Sequence, residues 1–303
     1  MIQKCVLTFC VLFRLTISFL SAQQNPQYTQ YMFNGLAINP AVAGNDKNLS
    51  ITLLNRNQWI SMPGAPVTQT LAAHALLGSS RAGVGILIIN DKIGVHKNQH
   101  IEGSFSYRVK VAQRTFLSMG LQGGISIRQS NYSRVSGAIG YDPLAQDVSH
   151  TAPTLGAGPY LRSPQLEIGF SAPEILPERV AINDTATITW QNAQYFLYSK
   201  YHFNLANNLV LEPSLLIKYL NEFPISYDVN ISLVIKKVLA TGLSYRNKES
   251  IGFLVRAKLT RQLQFGYAYD FPIGEFARSS NGSHELMIQY LFRHFSNTAV
   301  APR

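Results

Sequence analysis

Long stretches of the chain alternate between apolar and polar residues, one position at a time. In residues 209–219 the odd-numbered positions are apolar and the even-numbered positions are mostly polar, and residues 227–235, 251–259 and 263–271 repeat this pattern. Successive residues of a β-strand point to opposite faces, so each stretch predicts a strand with one apolar and one polar face.

The same alternation along the whole chain predicts fourteen strands. Several are about 10 to 14 residues long, which suits a tilted strand across a bilayer (~9 to 11 residues) better than a strand of a globular sheet (~5 to 6 residues). Aromatic rings near the segment ends, such as those of Trp59, Trp190 and Phe271, suit a membrane interface. The predicted bounds are 48–59, 66–77, 82–89, 98–110, 115–128, 153–162, 165–170, 191–203, 208–219, 226–236, 238–246, 249–259, 263–271 and 284–295.

The connections between the predicted strands are alternately short and long, except that the turn 247–248 is short where a long connection is expected. An even number of strands with this alternation is typical of an outer-membrane β-barrel with short periplasmic turns, longer extracellular loops and both chain ends in the periplasm. Closure of the barrel leaves no unpaired strand edge in lipid. The short connections are 78–81, 111–114, 163–164, 204–207, 237 and 260–262, and the long ones are 60–65, 90–97, 129–152, 171–190, 220–225 and 272–283.

The predicted fold class is therefore all-β: a transmembrane antiparallel β-barrel of about 14 strands in residues 48–295, with a periplasmic tail in residues 296–303. A large soluble β-protein is the alternative. Residues 23–47 show neither a helical nor a strand pattern. We interpret them as a periplasmic or lumenal segment that acts as a plug or docking element, and a simple turn that caps the barrel mouth is the alternative.

The first residues of the chain resemble an export signal. Lys4 is followed by mostly apolar residues up to Leu20 and then by the small residues Ser21 and Ala22. This order predicts a signal peptide in residues 1–22, cleaved after Ala22. An uncleaved anchor is the alternative, although the apolar run is interrupted and short for a helix across a bilayer, which takes ~20 residues.

The chain is basic and its cysteines lie in the leader. The 303 residues carry a net charge of +10, and removal of Lys4 and Arg14 with the leader leaves about +8. An exported chain does not meet nucleic acid, so this charge favours lipid head groups or an anionic partner. Both cysteines, Cys5 and Cys10, precede residue 22, so the mature chain is predicted to have no disulfide.

The sequence contains no clear catalytic, cofactor or metal motif. His284 and Glu285 resemble the start of a zinc-protease motif, but Ile288 occupies the position of the required second histidine. Gly-x-Ser-x-Gly, Walker and Gly-x-Gly-x-x-Gly motifs are all missing. We therefore expect no enzyme activity, no cofactor and no metal. The alternative is a lipid hydrolase in the barrel wall that uses His74, His202 or His284.

The polar faces of the predicted strands should line the barrel lumen. Opposite charges in a barrel of moderate width pair and hydrate, so they are expected to fill the interior. A charge-lined channel is the alternative. The charged residues on these faces are Glu102, Arg108, Glu212, Lys218, Asp228, Arg256, Lys258, Asp270, Glu285 and Arg293.

Five stretches carry recognisable motifs: "QYMFNGLAINPAVAG" (30–44), "NRNQWISMPGAPVTQTLAAH" (55–74), "GVGILIINDKIG" (83–94), "GYAYDFPIG" (266–274) and "GSHELMIQY" (282–290). In this order they resemble the PorP/SprF family of outer-membrane proteins of the type IX secretion system in Bacteroidota. The resemblance spans nearly the whole mature chain, although residues 129–190 carry no matching signature.

The resemblance implies a barrel that assists export or surface attachment of proteins, including adhesins used in gliding motility. The implied partners are outer-membrane lipid, secreted cargo with a C-terminal sorting domain, and type IX secretion components that include a peptidoglycan-associated periplasmic lipoprotein. The alternative is an outer-membrane solute channel or hydrophobic-compound transporter. That class also places an Asn-Pro-Ala hatch before its first strand, and Asn39, Pro40 and Ala41 are similar.

The family motifs supply the candidate plug or partner residues. Gln30, Asn34 and Asn39 are expected to bond backbone groups in the lumen, while Pro40 and Gly44 set a rigid turn followed by a flexible one. The candidates are Asn34, Asn39, Pro40, Gly44, Arg56, Trp59, Tyr269, Asp270, His284 and Glu285.

Overall fold

A computed structural model describes residues 26–46, 48–78, 81–134, 147–183, 186–191, 193–221 and 223–292. Within these ranges no helix is both long and apolar enough to cross a membrane. The strands of this part of the chain are β1 (Ser50–Asn57), β2 (Val67–Leu76), β3 (Ala82–Ile93), β4 (His96–Ala112), β5 (Thr115–Ser130), β6 (Val148–Arg162), β7 (Leu166–Glu174), β8 (Glu178–Asn183), β9 (Ala186–Gln191), β10 (Gln194–Tyr201), β11 (Phe203–Ala206), β12 (Leu209–Leu220), β13 (Ser226–Ile235), β14 (Leu239–Arg246), β15 (Ser250–Lys258), β16 (Leu263–Pro272) and β17 (Ser283–Leu291).

Fourteen of these strands form one closed antiparallel barrel. β1 pairs with β17, and β10 pairs with β7 on one side and with β12 on the other, which closes the ring. β11 is an extra strand that follows β10 after His202 and pairs with β12, and β8 and β9 form a separate hairpin. The predicted barrel and its strand number are confirmed.

The two ends of the barrel carry different connections. We name the end where β1 begins and β17 ends the proximal mouth. It also carries the connections that follow β2, β4, β6, β11, β13 and β15. The opposite end, the distal mouth, carries the connections that follow β1, β3, β5, β7, β12, β14 and β16. In the sequence-based prediction, the proximal mouth faces the periplasm.

The prediction of long loops at residues 90–97 and 171–190 was wrong, because both ranges contain strand residues. β3 and β4 pair through residues 90–97 as far as Ile93 and His96, so these residues form strand and a tight turn. The outward side chains there, such as Asn90 and Lys92, are polar, so the alternation on which the prediction relied is lost. The expected loop 171–190 contains the end of β7 and the hairpin of β8 and β9.

Side chains alternate between the lumen and the outer surface along the strands. On β4, Phe105 and Tyr107 are exposed apolar residues, whereas their neighbours Ser104 and Ser106 are buried. On β5, Leu121 is 60 % exposed and Gln122 only 3 %. Such a distribution suits a barrel with an apolar exterior in lipid and a polar interior.

Residues 28–44 lie in the lumen. They form three short 3₁₀ helices, Tyr31–Phe33, Gly35–Ala37 and Pro40–Val42. Their apolar side chains pack in two buried clusters against inward residues of the wall. One cluster contains Tyr28, Tyr31, Ile38, Ala41, Leu54, Tyr160, Phe196, Tyr198 and Leu216, and the other contains Leu36, Ala43, Ala72, Leu87 and Ile89.

Candidate functional site

The start of this N-terminal segment is anchored by one carboxylate. Glu285, which points inward from β17 and is fully buried, accepts the backbone N–H of Thr29 at 2.8 Å and that of Gln30 at 2.7 Å. The Gln30 side chain donates to the Glu285 carbonyl at 3.2 Å. These bonds satisfy backbone donors that have no strand partner, as buried N–H groups require.

Arg56 connects this anchor to a second carboxylate. Its Nη1 lies 3.1 Å from Glu285 Oε2 and its Nη2 lies 2.7 Å from Asp270 Oδ2. The Thr29 hydroxyl donates to Asp270 at 2.6 Å and accepts from Arg56 at 2.8 Å. All four side chains are almost completely buried. Loss of one partner from such a buried ion pair costs about 3–5 kcal/mol, because an uncompensated charge remains.

A second cluster of charged side chains, on β12, β13 and β14, binds the backbone of Tyr28. Asp228 Oδ1 lies 3.0 Å from Arg246 Nε, and Asp228 Oδ2 lies 3.0 Å from Lys218 Nζ. Arg246 Nη2 donates to the carbonyl of Tyr28 at 3.0 Å. The two groups together contain three cations and three carboxylates, and Glu249 adds a fourth carboxylate 3.5 Å from Arg246. The first six side chains are carried by β1, β12, β13, β14, β16 and β17, which form one half of the wall.

Two tyrosines add polar contacts within the apolar clusters. The Tyr28 hydroxyl lies 2.9 Å from Thr70 Oγ1, and the Tyr31 hydroxyl lies 3.2 Å from Ser214 Oγ. Burial raises the pKa of both phenols above their ordinary value, so they remain neutral hydroxyl groups. Each ring is buried while its hydroxyl is bonded to the wall, which fixes the orientation of the segment.

The end of the segment is held by the opposite half of the wall. Asn39 Nδ2 donates to the carbonyls of Pro159 on β6 and Phe170 on β7 at 2.9 and 3.1 Å. Asn39 Oδ1 accepts the N–H of Ala41 at 2.9 Å and caps the 3₁₀ helix that begins with Pro40. Ser171 Oγ donates to the Ile38 carbonyl at 2.7 Å. The segment therefore bridges the lumen.

Glycines on the inward face allow the segment to approach the wall. A side chain at Gly120 of β5 would overlap the backbone of Pro40 and Ala41, and one at Gly83 of β3 would overlap the Ala43 carbonyl. Gly44 has a φ of +74°, a left-handed conformation that glycine adopts readily. Its N–H donates to His74 Nδ1 at 3.3 Å, and from there the chain leads towards β1.

A family model described as "Type IX secretion system membrane protein PorP/SprF" matches residues 20–290. The chain belongs to the PorP/SprF family. The match includes the N-terminal segment and nearly every residue of the barrel, and it confirms the resemblance seen in the sequence motifs. No curated protein is significantly similar to the sequence.

Several solved outer-membrane barrels are similar to this chain at low sequence identity. The CymD monoaromatic hydrocarbon channel is 11% identical, with a TM-score of 0.51 over 86% of this chain and 93% of that chain. Omp33 of Acinetobacter baumannii is 9% identical, with a TM-score of 0.48 over 82% of this chain and 100% of that chain. A Pseudomonas aeruginosa FadL homologue is 12% identical, with a TM-score of 0.48 over 90% and 96%. The similarity to CymD supports the outer-membrane barrel fold of this chain and nothing more.

The ten candidate residues of this PorP/SprF protein fall into two groups. Seven belong to the lumenal site just described: Asn34, Asn39, Pro40, Gly44, Arg56, Asp270 and Glu285. Asn39 and Gln30 bond backbone groups as expected. Asn34 is buried, but its Nδ2 has no hydrogen-bond partner among the described residues.

The other three candidates lie at the distal mouth. Trp59 follows β1, with a φ of +46° and its N–H 3.2 Å from Ser283 Oγ. Tyr269 donates its hydroxyl to the Asn281 carbonyl. His284 Nδ1 lies 2.6 Å from the Tyr267 hydroxyl. Their role as partner contacts stays a prediction.

The charged residues expected in the lumen include most of this network. Glu102, Asp228, Asp270 and Glu285 are buried, and the Arg256 guanidinium lies 3.9 Å from the centre of the Phe33 ring. Arg293 lies outside the described residues.

Sequence reasoning missed Thr29, Arg246 and Gly120. The alternation along β14 could have placed Arg246 inward. Gly242, Ser244 and Arg246 share one face of the strand, and the apolar residues Leu243 and Tyr245 share the other. A glycine inside a strand signals close approach of another backbone, but the sequence does not say which backbone approaches Gly120.

Replacement of Asn39 by alanine should loosen the end of the segment. The substitution removes two donated bonds and the cap of the 3₁₀ helix, and we expect a loss of about 1–3 kcal/mol in local stability. Hydrogen exchange of residues 38–44 in purified protein measures it. Asn39→Asp retains the capping oxygen but places a carboxylate oxygen against the Pro159 and Phe170 carbonyls, so it should increase exchange at least as much as Asn39→Ala. Equal exchange in wild type and Asn39→Ala would contradict the assigned contacts.

Proposed function

We propose that this PorP/SprF protein is a non-enzymatic accessory of type IX secretion that assists export or surface attachment of partner proteins. The observation that supports the proposal is the position of residues 28–44 across the lumen, where they are bonded to both halves of the wall. A free solute would have to displace this segment. We therefore infer that the protein acts through contacts with other proteins.

The proposed partners follow from the family. They are secreted cargo of the adhesin or gliding type with a C-terminal sorting domain, other type IX secretion components, and a peptidoglycan-associated periplasmic lipoprotein. Outer-membrane lipid would surround the barrel. A cleaved signal peptide in residues 1–22, which lie outside the described residues, would export the chain and leave the proximal mouth in the periplasm.

The charge of the proximal mouth supports a docking role there. The connections at this mouth contain no Asp or Glu in the sequence, and their basic residues are exposed. A surface of one sign steers and orients an oppositely charged partner. We therefore propose that the partner at the proximal mouth presents an acidic surface. The basic residues of these connections are Arg81, Arg114, Lys236, Lys237 and Arg261.

Gene deletion tests the proposed function. Loss of surface display or export of a particular large protein, with nutrient uptake unchanged, is the expected result, and display is measured by surface proteolysis and mass spectrometry. Normal display with lost uptake would contradict the proposal and favour the solute channel, to which the hatch-like Asn39-Pro40-Ala41 points. Lipid hydrolysis that is lost on His284→Ala would favour the enzyme.

Charge reversal at the proximal mouth should impair function without unfolding the barrel. We expect Lys236→Glu with Lys237→Glu to lower surface display of the partner about tenfold, because like charges at an interface repel an acidic partner. The matched control is Lys92→Glu with Lys248→Glu, which makes the same charge change on exposed residues at the distal mouth. Equal display in both double variants would contradict an acidic partner at the proximal mouth.

A further inference from the structure

Three potential metal ligands from two non-adjacent strands meet at the inner wall. His100 and Glu102 point inward from β4 and are each 3 % exposed. Glu174 ends β7, which is separated from β4 by β5 and β6 in the sheet. One potential ligand atom from each of these three residues lies within 4.8 Å of the other two.

The end of β7 reaches this place because it folds over the inner face of the sheet. Gln122 of β5 donates its Nε2 to the Pro173 carbonyl at 3.0 Å, and the Ile175 N–H donates to the Leu155 carbonyl at 2.8 Å. A side chain at Gly156 would overlap the Pro173 carbonyl. The glycine therefore makes room for the inward turn that carries Glu174 towards β4.

One oxygen atom of Glu102 makes no hydrogen bond within the part of the chain that the structure describes. His100 Nδ1 lies 3.2 Å from Glu174 Oε1, and Glu102 Oε2 accepts from Gln122 at 2.9 Å. Among the described residues, the buried Glu102 Oε1 has no hydrogen-bond partner, and neither has the buried hydroxyl of nearby Thr154. A buried carboxylate oxygen without a donor is costly unless a cation accompanies it.

We propose that His100, Glu102 and Glu174 bind a zinc ion. Imidazole nitrogen and carboxylate oxygen are both zinc ligands, and imidazole disfavours calcium or magnesium, which prefer oxygen ligands. Ligand atoms around tetrahedral zinc lie about 3.4 Å apart, given bonds of about 2.0–2.2 Å. The three ligand atoms, which lie within 4.8 Å of one another, reach this spacing by closing at most about 1.4 Å. Gln122 Oε1 is also buried and has no hydrogen-bond partner among the described residues.

The ion would fasten the distal connection after β7 to the barrel wall. It would add positive charge between the two carboxylates, next to the His100 imidazole that lies 3.2 Å from Glu174. Because the ligands come from β4 and from the last residue of β7, binding also fixes the point where the chain leaves the barrel towards the hairpin of β8 and β9. The site is thus structural, and it is separate from the N-terminal segment.

Zinc binding by purified protein in detergent, prepared without a histidine tag, tests the proposal. We expect about one zinc ion per chain by elemental analysis after dialysis, and a higher unfolding temperature with zinc than with chelator. His100→Ala and Glu102→Gln should each weaken zinc binding by at least about tenfold in titration calorimetry. His96→Ala is the matched control, because His96 lies on the same strand and bonds Ser130 instead.

Glu174→Gln provides a second variant if a buried substitution on β4 prevents folding, since Glu174 lies at the end of its strand. Heat-modifiable mobility in gels verifies that each variant forms a barrel. Unchanged zinc affinity in the ligand variants, or binding of calcium but not zinc by wild type, would overturn the assignment. A loss of affinity in His96→Ala equal to that in His100→Ala would do so as well.

Discussion

Glu285→Ala is expected to release the start of the N-terminal segment and open the lumen. The substitution removes the acceptor for the N–H groups of Thr29 and Gln30 and one partner of Arg56. Loss of about 3 kcal/mol, at the lower end of the cost for breaking a buried ion pair, shifts the docking equilibrium more than about 100-fold towards the undocked state. Conductance in planar bilayers and protease cleavage within residues 26–46 measure the release.

Two controls separate release from unfolding. Glu249→Ala removes a carboxylate that contacts Arg246 at 3.5 Å but does not contact the segment, so conductance should stay low. Heat-modifiable mobility should be unchanged in both variants, because strand pairing does not depend on Glu285. High conductance with normal partner display would identify the segment as a plug, whereas lost display without conductance would identify it as a docking element. Wild-type values in both assays would contradict the anchoring role of Glu285.

Gly120→Val is expected to exclude the other end of the segment from the wall. Its Cβ would overlap backbone atoms of Pro40 and Ala41, and a side-chain rotation cannot relieve an overlap with backbone. Overpacking of this kind costs about 1–3 kcal/mol. We expect faster hydrogen exchange in residues 38–44 and a lower unfolding temperature, while the strand itself tolerates valine well.

Gly123→Val is the matched control for this prediction. Gly123 lies on the same strand, and a Cβ there would have its nearest neighbour, the Thr154 carbonyl, at an ordinary 3.7 Å. The two variants make the same chemical change in β5 but differ in their contact with the segment. Faster exchange of residues 38–44 in both, or in neither, would show that close approach at Gly120 does not hold the segment.

A comparison of the predicted and observed strand bounds shows where the apolar–polar alternation no longer predicts strands. The alternation located all fourteen wall strands, since an apolar exterior and a polar interior impose a period of two within the membrane. It failed at residues 90–97, where β3 and β4 continue past the apolar band and both faces are polar. There the backbone pairing persists although the side chains no longer reveal it.

The lumenal site could be predicted in part. The alternation of apolar and polar positions placed Asp228, Asp270 and Glu285 on the inward face. The family motifs singled out Asn39 and Arg56. Their partners could not be inferred, because Thr29 and Glu285 are 256 positions apart. Contacts at such separation depend on closure of the whole barrel. The zinc ligands show the same limit, since Glu174 reaches His100 only through the inward turn after β7.

The sequence by itself determined the barrel, its strand number and the inward or outward direction of the side chains, because these follow from local periodicity and from the demands of lipid. The motifs also determined the PorP/SprF resemblance. Only the tertiary structure decided that residues 28–44 bridge the lumen and that paired cations and carboxylates of the wall surround their start. Those features arise when closure of the ring brings strands from both ends of the chain around one irregular segment, whose unpaired backbone groups must find partners on the wall.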